Sequence, residues 1–423
     1  MAKRPGVGNV HTHHLDLNCL PEHLSEQQGG LPEWMDFLGE PPLNTALNKN
    51  IRRFISIMRR KKDFGEVSRF HIEDMDRAGI DYAVVLHIDP EGSDPKARDL
   101  NHRFDDVLGK IADASARHPF RLFPFFGFDP RRPEAIASLK TNIETRGYVG
   151  IKLYPAMGFD PRPDRTSYSL ANRDYFEYAY RSYPGGGRLS GDQILSQLQS
   201  LYRYAGDRGI PILVHCSVNG SYQVTVDKKR KYQDIWRYTD PANFGPIARA
   251  YGLRICFAHM GGQIDGPHHR KKAVEWREKI RTLLKEADAW GGPAKLYADQ
   301  AYGIVHLVKK ENKKKALEAN IGQTAADLDD GALGRYLLFG SDWPLNVYQC
   351  SEKEYLDEYR TRLRPDQQMR YFSRNIAAFV FGESGRIPAS YVDFIRGERR
   401  RLGLPFVVPD WIEERDGSFF LAT

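Results

Sequence analysis

The chain has 423 residues, 41% of them hydrophobic and 28% charged, with a formal net charge of +7. That balance describes an ordinary globular protein and excludes a disordered one; no apolar run approaches the ~20 residues of a membrane span, and the start, with Lys3 and Arg4, lacks the apolar core of a secretory signal. Four cysteines (Cys19, Cys216, Cys256 and Cys350) without a C-x-x-C pair exclude a disulfide scaffold and a thiolate zinc site, so a reducing cytoplasm is the expected location.

No fixed-period repeat is visible. Eight short apolar runs recur instead, at Gly6 to His13, Tyr82 to Ile88, Leu122 to Phe128, Tyr148 to Tyr154, Ile210 to Cys216, Arg254 to His259, Ala294 to Ala301 and Tyr336 to Asp342. Rich in Val, Ile, Leu, Phe and Tyr and mostly bounded by Gly or Pro, they read as strands buried on both faces, hence parallel. Helical patterns lie between them: Val67 to Ala78 stopped by Gly79, Asp192 to Tyr204 with Ile194, Leu195, Leu198 and Leu201 on one stripe, Ala273 to Ala289, and Ser351 to Leu363. Eight alternations favour an α/β fold closed as a (β/α)8 TIM barrel.

Such a barrel takes about 250 residues, which leaves about 170 for insertions. They are expected at 14–66, 157–208 and 218–245, in the loops that follow strands, within one barrel unit over 1–385. A C-terminal extension over 386–423 is expected to pack on it. Tyr175, Tyr178, Tyr180 and Tyr183, followed by Gly185 to Gly187, fall in the second insertion as a substrate cap or a plain surface subdomain; the glycines lack the Lys-Ser/Thr of a phosphate loop. The basic clusters at Lys228 to Lys231, Lys309 to Lys315 and Arg399 to Arg401 are scattered and read as solvated faces, not a nucleic-acid surface. A mild preference for an anionic small substrate remains.

The chemistry concentrates at the C-terminal ends of the predicted strands. His11 and His13 close the first and share a face; Lys152 and Tyr154 lie in the fourth; His215, His259 and Asp342 end the fifth, sixth and eighth. In the eighth strand Phe339 and Ser341 are expected opposite Asp342. A lone histidine at such a place is ordinarily a hydrogen-bonded core or loop residue, so His71, His87, His102, His118 and His306 receive no role, His268 and His269 read as loop, and His14, facing away from the pair, supports it at most. Lys152 could simply pair with a carboxylate. The joint pattern is different: buried imidazoles with a carboxylate are costly unless something compensates them, and a divalent cation does so, Zn2+ first, with Mn2+ or Fe2+ also suited.

The segments VHTHH, DMDRAGIDYAVV, GIKLYP, IPILVHCS, FAHMGG, FGSDWP and SRNIAAFVFG, in that order from about residue 7 to 382, resemble the amidohydrolase superfamily of metal-dependent hydrolases, in its amidohydrolase-related group containing aminocarboxymuconate-semialdehyde decarboxylase. An Asp two residues before the first histidine is common there; this chain has Asn9. The resemblance implies His11, His13, His215 and Asp342 as ligands of one metal, with Asp342 also moving protons and His259 beside the metal as a second catalytic group. Lys152 is expected unmodified rather than carbamylated between two metals, and Lys152, Tyr154 and Trp343 are the substrate-binding candidates. The reading is hydrolysis of an ester, lactone or amide in a small, anionic molecule. The alternative is non-hydrolytic decarboxylation of an unsaturated or aromatic carboxylic acid. A binding barrel without turnover is the third option, against which the intact His11, His13, His215, His259 and Asp342 speak. No nucleic-acid or membrane partner is expected, and a homodimer is the expected assembly.

Overall fold

The computed structural model describes residues 3–14, 49–58, 64–89, 101–157, 159–164, 189–218, 236–262, 270–304, 307–308 and 314–422. Most of the three expected insertions lies outside them, including the Tyr175 to Tyr183 segment and Gly185 to Gly187, and so do the loop histidines His268 and His269.

The strands are β1 (Gly8–Thr12), β2 (Tyr82–Leu86), β3 (Leu122–Phe128), β4 (Gly150–Leu153), β5 (Ile212–Val214), β6 (Arg254–Phe257), β7 (Lys295–Asp299) and β8 (Leu337–Leu338). They pair in that order, all in parallel. Between and after them run α1 (Lys49–Met58), α2 (Phe64–Ala78), α3 (Asn101–Arg117), α4 (Ala135–Thr145), α5 (Gly191–Arg208), α6 (Phe244–Tyr251), α7 (Arg270–Asp288), α8 (Lys314–Asp329), α9 (Glu352–Arg360), α10 (Pro365–Met369), α11 (Asn375–Phe381) and α12 (Ala389–Arg401). This is a (β/α)8 barrel. β2 and β3 are buried at every residue, as near-continuous apolar runs require.

The barrel closes between its first and last strands. Val10 N donates to Phe339 O at 3.0 Å, Asp342 N to His11 O at 2.9 Å and His13 N to Trp343 O at 2.6 Å. β8 itself is only two residues long, so the expected alternation of Phe339 and Ser341 against Asp342 does not apply: the chain leaves the regular strand after Leu338, and Asp342 takes a left-handed φ of 68°. His259 likewise stands beyond the end of β6, at φ 62°.

The far end of the barrel is sealed by α12 and a hairpin of β9 (Ile412–Arg415) and β10 (Ser418–Leu421). Phe120 packs against Tyr391, Phe406 and Phe419. The Tyr391 hydroxyl accepts from Phe120 N and donates to Leu122 O. Arg399, from the last basic cluster, is buried and donates to the carbonyls of Ala116 and Arg117 at the end of α3, where a cation offsets the helix dipole. Among the described residues no helix is long and apolar enough to cross a membrane.

Gly340 lies at the closing seam, where an added Cβ would stand 2.8 Å from His11 Cβ and 3.1 Å from Ala301 Cβ. Gly340→Ala is expected to cost about 1–3 kcal/mol by overpacking, read as a lowered thermal midpoint. An unchanged midpoint would show that the seam can give way freely.

Candidate metal centre

The closing seam brings the first strand's histidines to the eighth strand's carboxylate. His11 Nε2 and His13 Nε2 are 3.2 Å apart, and Asp342 Oδ1 lies 3.5 Å from the first and 3.3 Å from the second. All three residues are buried. The partners of the other ring nitrogens decide the tautomers. His13 Nδ1 faces the Leu86 carbonyl at 2.9 Å, which can only accept, and His11 Nδ1 faces Asp299 Oδ2 at 3.0 Å. Both Nδ1 atoms therefore carry the proton, and both Nε2 atoms present lone pairs. Burial, and then the charge of Lys152, push the His11 pKa well below its ordinary value, so this ring is neutral. Two lone pairs and a carboxylate oxygen thus face one another, an arrangement that a cation relieves and a hydrogen bond does not. Burial by itself opposes ionisation of the Asp342 carboxyl, and a cation held between it and the two lone pairs would offset that cost.

Asp299, the last residue of β7, organises the neighbouring side. Its Oδ1 accepts from His259 N at 2.9 Å and Ala301 N at 3.0 Å, and its Oδ2 accepts from His11 Nδ1. His11, His259 and Asp299 also have ligand atoms within 4.8 Å of one another. Asp299 is already committed to three N–H donors, however, so it orients His11 rather than building a second cation site, as carboxylates commonly do behind a ligating histidine.

His259 is held in its left-handed conformation from two sides, by Asp299 at its N–H and by the Ala301 carbonyl, 3.1 Å from its Nδ1. A non-glycine residue there costs of order 1–3 kcal/mol. Met260, Gly261 and Gly262 also have positive φ. A Cβ on Gly261 would come within 2.9 Å of Trp276 Cβ, which explains the glycine in that tight turn. With Nδ1 protonated, His259 turns its Nε2 lone pair to the mouth, where its ring centroid lies 4.7 Å from that of His11 and 5.0 Å from that of His215.

His215 follows β5 and stacks on Tyr154, with centroids 4.1 Å apart and planes at 11°. It shares the mouth but stands outside the close group of His11, His13 and Asp342. Lys152, on β4, is 1% exposed, and among the described residues its ammonium has no hydrogen-bond partner. Burial lowers its pKa to about 8 against the opposing pull of Asp299 and Asp342. Lys152 and Tyr154 line a cleft with His87, Asp89, Phe128, Asp129 and Phe159. Asp89 and Asp129 are paired there with Arg132 and Arg131.

Trp343 lies elsewhere. Its ring is fully buried, stacks on His71 at 4.3 Å, and donates from Nε1 to Asp74. It fills a small apolar cluster with Ile57, Val67, Phe70 and Val347 rather than a substrate wall. His14 turns to the same side, 2.9 Å from His71. Asp299 and Glu352, which meets Asn9, were not among the sequence candidates. Asp299 carried much the same signal as the others, a polar residue near the end of a predicted strand; Glu352 comes from a helix and carried none.

The amidohydrolase family model, Amidohydro_2, matches residues 69–382. No curated protein matches the chain. Among solved structures, 5-carboxyvanillate decarboxylase from Novosphingobium aromaticivorans, complexed with manganese and a nitrobenzoic acid, is 13% identical with a TM-score of 0.45, over 89% of this chain and 96% of that one. A 2,6-dihydroxybenzoate decarboxylase from Rhizobium is 14% identical, TM-score 0.48, over 89% and 99%. An amidohydrolase from Burkholderia multivorans with bound HEPES is 11% identical, TM-score 0.45, over 89% and 99%.

The burial of Lys152 has a sign that can be measured. Below pH 8 the amine is charged in the folded and unfolded chain, and its burial cost is present in full. Between about pH 8 and the ordinary lysine value of 10.5 the folded chain releases its proton first, so stability gains with rising pH. In the metal-free protein, Lys152→Met is expected to raise stability at pH 7 by on the order of 3 kcal/mol and to remove this gain. Unfolding curves at pH 7 and pH 10 check it, and a destabilised variant at pH 7 would contradict it.

Proposed function

The chain belongs to the amidohydrolase family, and from that membership and the geometry of its barrel mouth we propose that it uses one divalent metal ion to hydrolyse an ester, lactone or amide bond in a small anionic molecule. The observation that carries this reading is the convergence of His11 Nε2, His13 Nε2 and Asp342 Oδ1 within 3.5 Å, with both Nδ1 protons directed outward. These three residues would hold the metal, and His215 would complete the set. Imidazole nitrogens with one carboxylate suit Zn2+, the proposed occupant, as well as Mn2+ and Fe2+.

Such a cation, when bound, acts as a Lewis acid and makes water nucleophilic near neutral pH. The protein's own residues do the rest. Asp342, a carboxylate beside the cation, accepts the proton of the attacking water and passes it to the leaving oxygen or nitrogen as the bond to the carbonyl carbon breaks. His259 offers its Nε2 lone pair as a hydrogen-bond acceptor for that water. Lys152, a buried ammonium without a protein partner among the described residues, pairs with the anionic group of the substrate, and Tyr154 packs beside it.

The same lysine favours a second reading, decarboxylation of an unsaturated or aromatic acid. Lys152 would hold the carboxylate, the C–C bond would break to release carbon dioxide, and His259 or Asp342, having taken up a proton from water, would return it to carbon. A homodimer in the cytoplasm remains the proposed assembly and location.

Chelator-treated protein is expected to be inactive and to recover with one equivalent of Zn2+. Asp342→Asn is expected to lower kcat by about 10²–10⁴-fold with an unchanged circular dichroism spectrum. Assays on esters, lactones, amides and carboxylic acids, scored for hydrolysed products and for released carbon dioxide, separate the two reactions. Full activity in metal-free protein would overturn both.

A further inference from the structure

The segments carrying the proposed ligands are also joined by side chains. Asn9 Oδ1 accepts from His11 N at 3.2 Å and from Ser341 N at 3.1 Å. Asn9 Nδ2 donates to Ser341 Oγ at 2.7 Å and to Glu352 Oε1 at 2.6 Å. Glu352 Oε2 accepts from Asn346 Nδ2 at 2.7 Å. Asn9, Ser341 and Asn346 are wholly buried, and Glu352 is 1% exposed. Glu352 opens α9, whose first turn is pinned by a reciprocal cap: Ser351 Oγ accepts from Glu354 N, and Glu354 Oε2 accepts from Ser351 N. The carboxylate is therefore delivered to Asn9 by a fixed helix end, where the dipole favours an anion.

We infer that Asn9 and Glu352 form a matched donor–acceptor clasp that sets the distance between β1 and the Ser341–Asp342 turn and so positions Asp342 against His11 and His13. This rests on the metal reading above. Asn9 accepts with one atom from the backbone beside each proposed ligand, and donates with its other to an anchored carboxylate. An aspartate at position 9 could keep the first function but not the second. It would set two buried carboxylates about 2.6 Å apart, where both cannot stay ionised. Either one takes a proton or the two segments separate, and separation moves Asp342 from the histidines. Burial raises the Glu352 pKa to about 7, and the hydrogen bonds from Ser341, Asn346 and Asn9 act against that rise.

The pairing can be reversed. In N9D the clasp is either pushed apart or held only through a borrowed proton; in N9D/E352Q the new amide donates to the new carboxylate without one. Zn2+ affinity, measured by competition with a chelating dye, is expected to fall about 10–100-fold in N9D, the range for groups that support a metal ligand. It is expected to return most of the way in N9D/E352Q. A residue needed only for shape would show no such rescue. Unchanged affinity in N9D, or a double variant as weak as the single one, overturns the clasp. If N9D does not accumulate as soluble protein, the double variant alone decides by the same criterion. If the unmodified protein binds no Zn2+, the metal reading falls instead. The clasp is then judged by the thermal midpoint of metal-free protein, where loss in N9D and recovery in the double variant are expected and their absence overturns it.

Discussion

Three electron-rich atoms, two imidazole nitrogens and a carboxylate oxygen, are held within 3.5 Å of one another in a buried barrel mouth. Left alone they repel, and their desolvation is costly. Much of the surrounding structure reads as the means of holding them there: three backbone hydrogen bonds across the seam between β1 and the end of β8, a side-chain-free Gly340 that lets the seam close, and Asp299 fixing the proton of His11 on the outer nitrogen. The left-handed turns at His259 and Asp342 belong to the same economy. Their strain persists because hydrogen bonds from neighbouring segments over-determine them.

The charge balance of the site follows from what each carboxylate already meets. Asp299 is saturated by three N–H donors, Asp89 and Asp129 by arginines, and Glu352 by two amides. Asp342 is the carboxylate that faces the two bare imidazole nitrogens. Lys152, among the described residues, is the buried ammonium that meets no acceptor. One centre suited to a cation and one suited to an anion therefore stand in the same mouth, the pairing expected where a metal and an anionic substrate meet. The net charge of +7 contributes nothing to this by itself; one placed lysine does.

The barrel was legible because its strands are short apolar runs at the right spacing and its helices carry regular stripes. The pair His11 and His13 was legible from strand periodicity, and the opposite facing of His14 with it. Asp342 was found for its position, yet the alternation used to orient it does not reach it, because a left-handed residue beyond a two-residue strand aims the side chain. Asp299 was visible in similar terms to the chosen residues, as a polar residue near the end of a strand. Trp343 lay beside Asp342 in sequence, but its ring is drawn away by His71 and Asp74 on α2, a contact that spacing along the chain does not encode. Asn9 looked like the loss of a supporting carboxylate. The fold supplies one from α9 instead, 343 residues later in the chain, and no local pattern announces it.

The most direct measurement is X-ray absorption on protein reloaded with Zn2+, with the stoichiometry fixed by titration. The account predicts one equivalent, with imidazole nitrogen and carboxylate oxygen scatterers at about 2.0–2.2 Å. Failure to bind Zn2+, or a bound ion without histidine scattering, would contradict it.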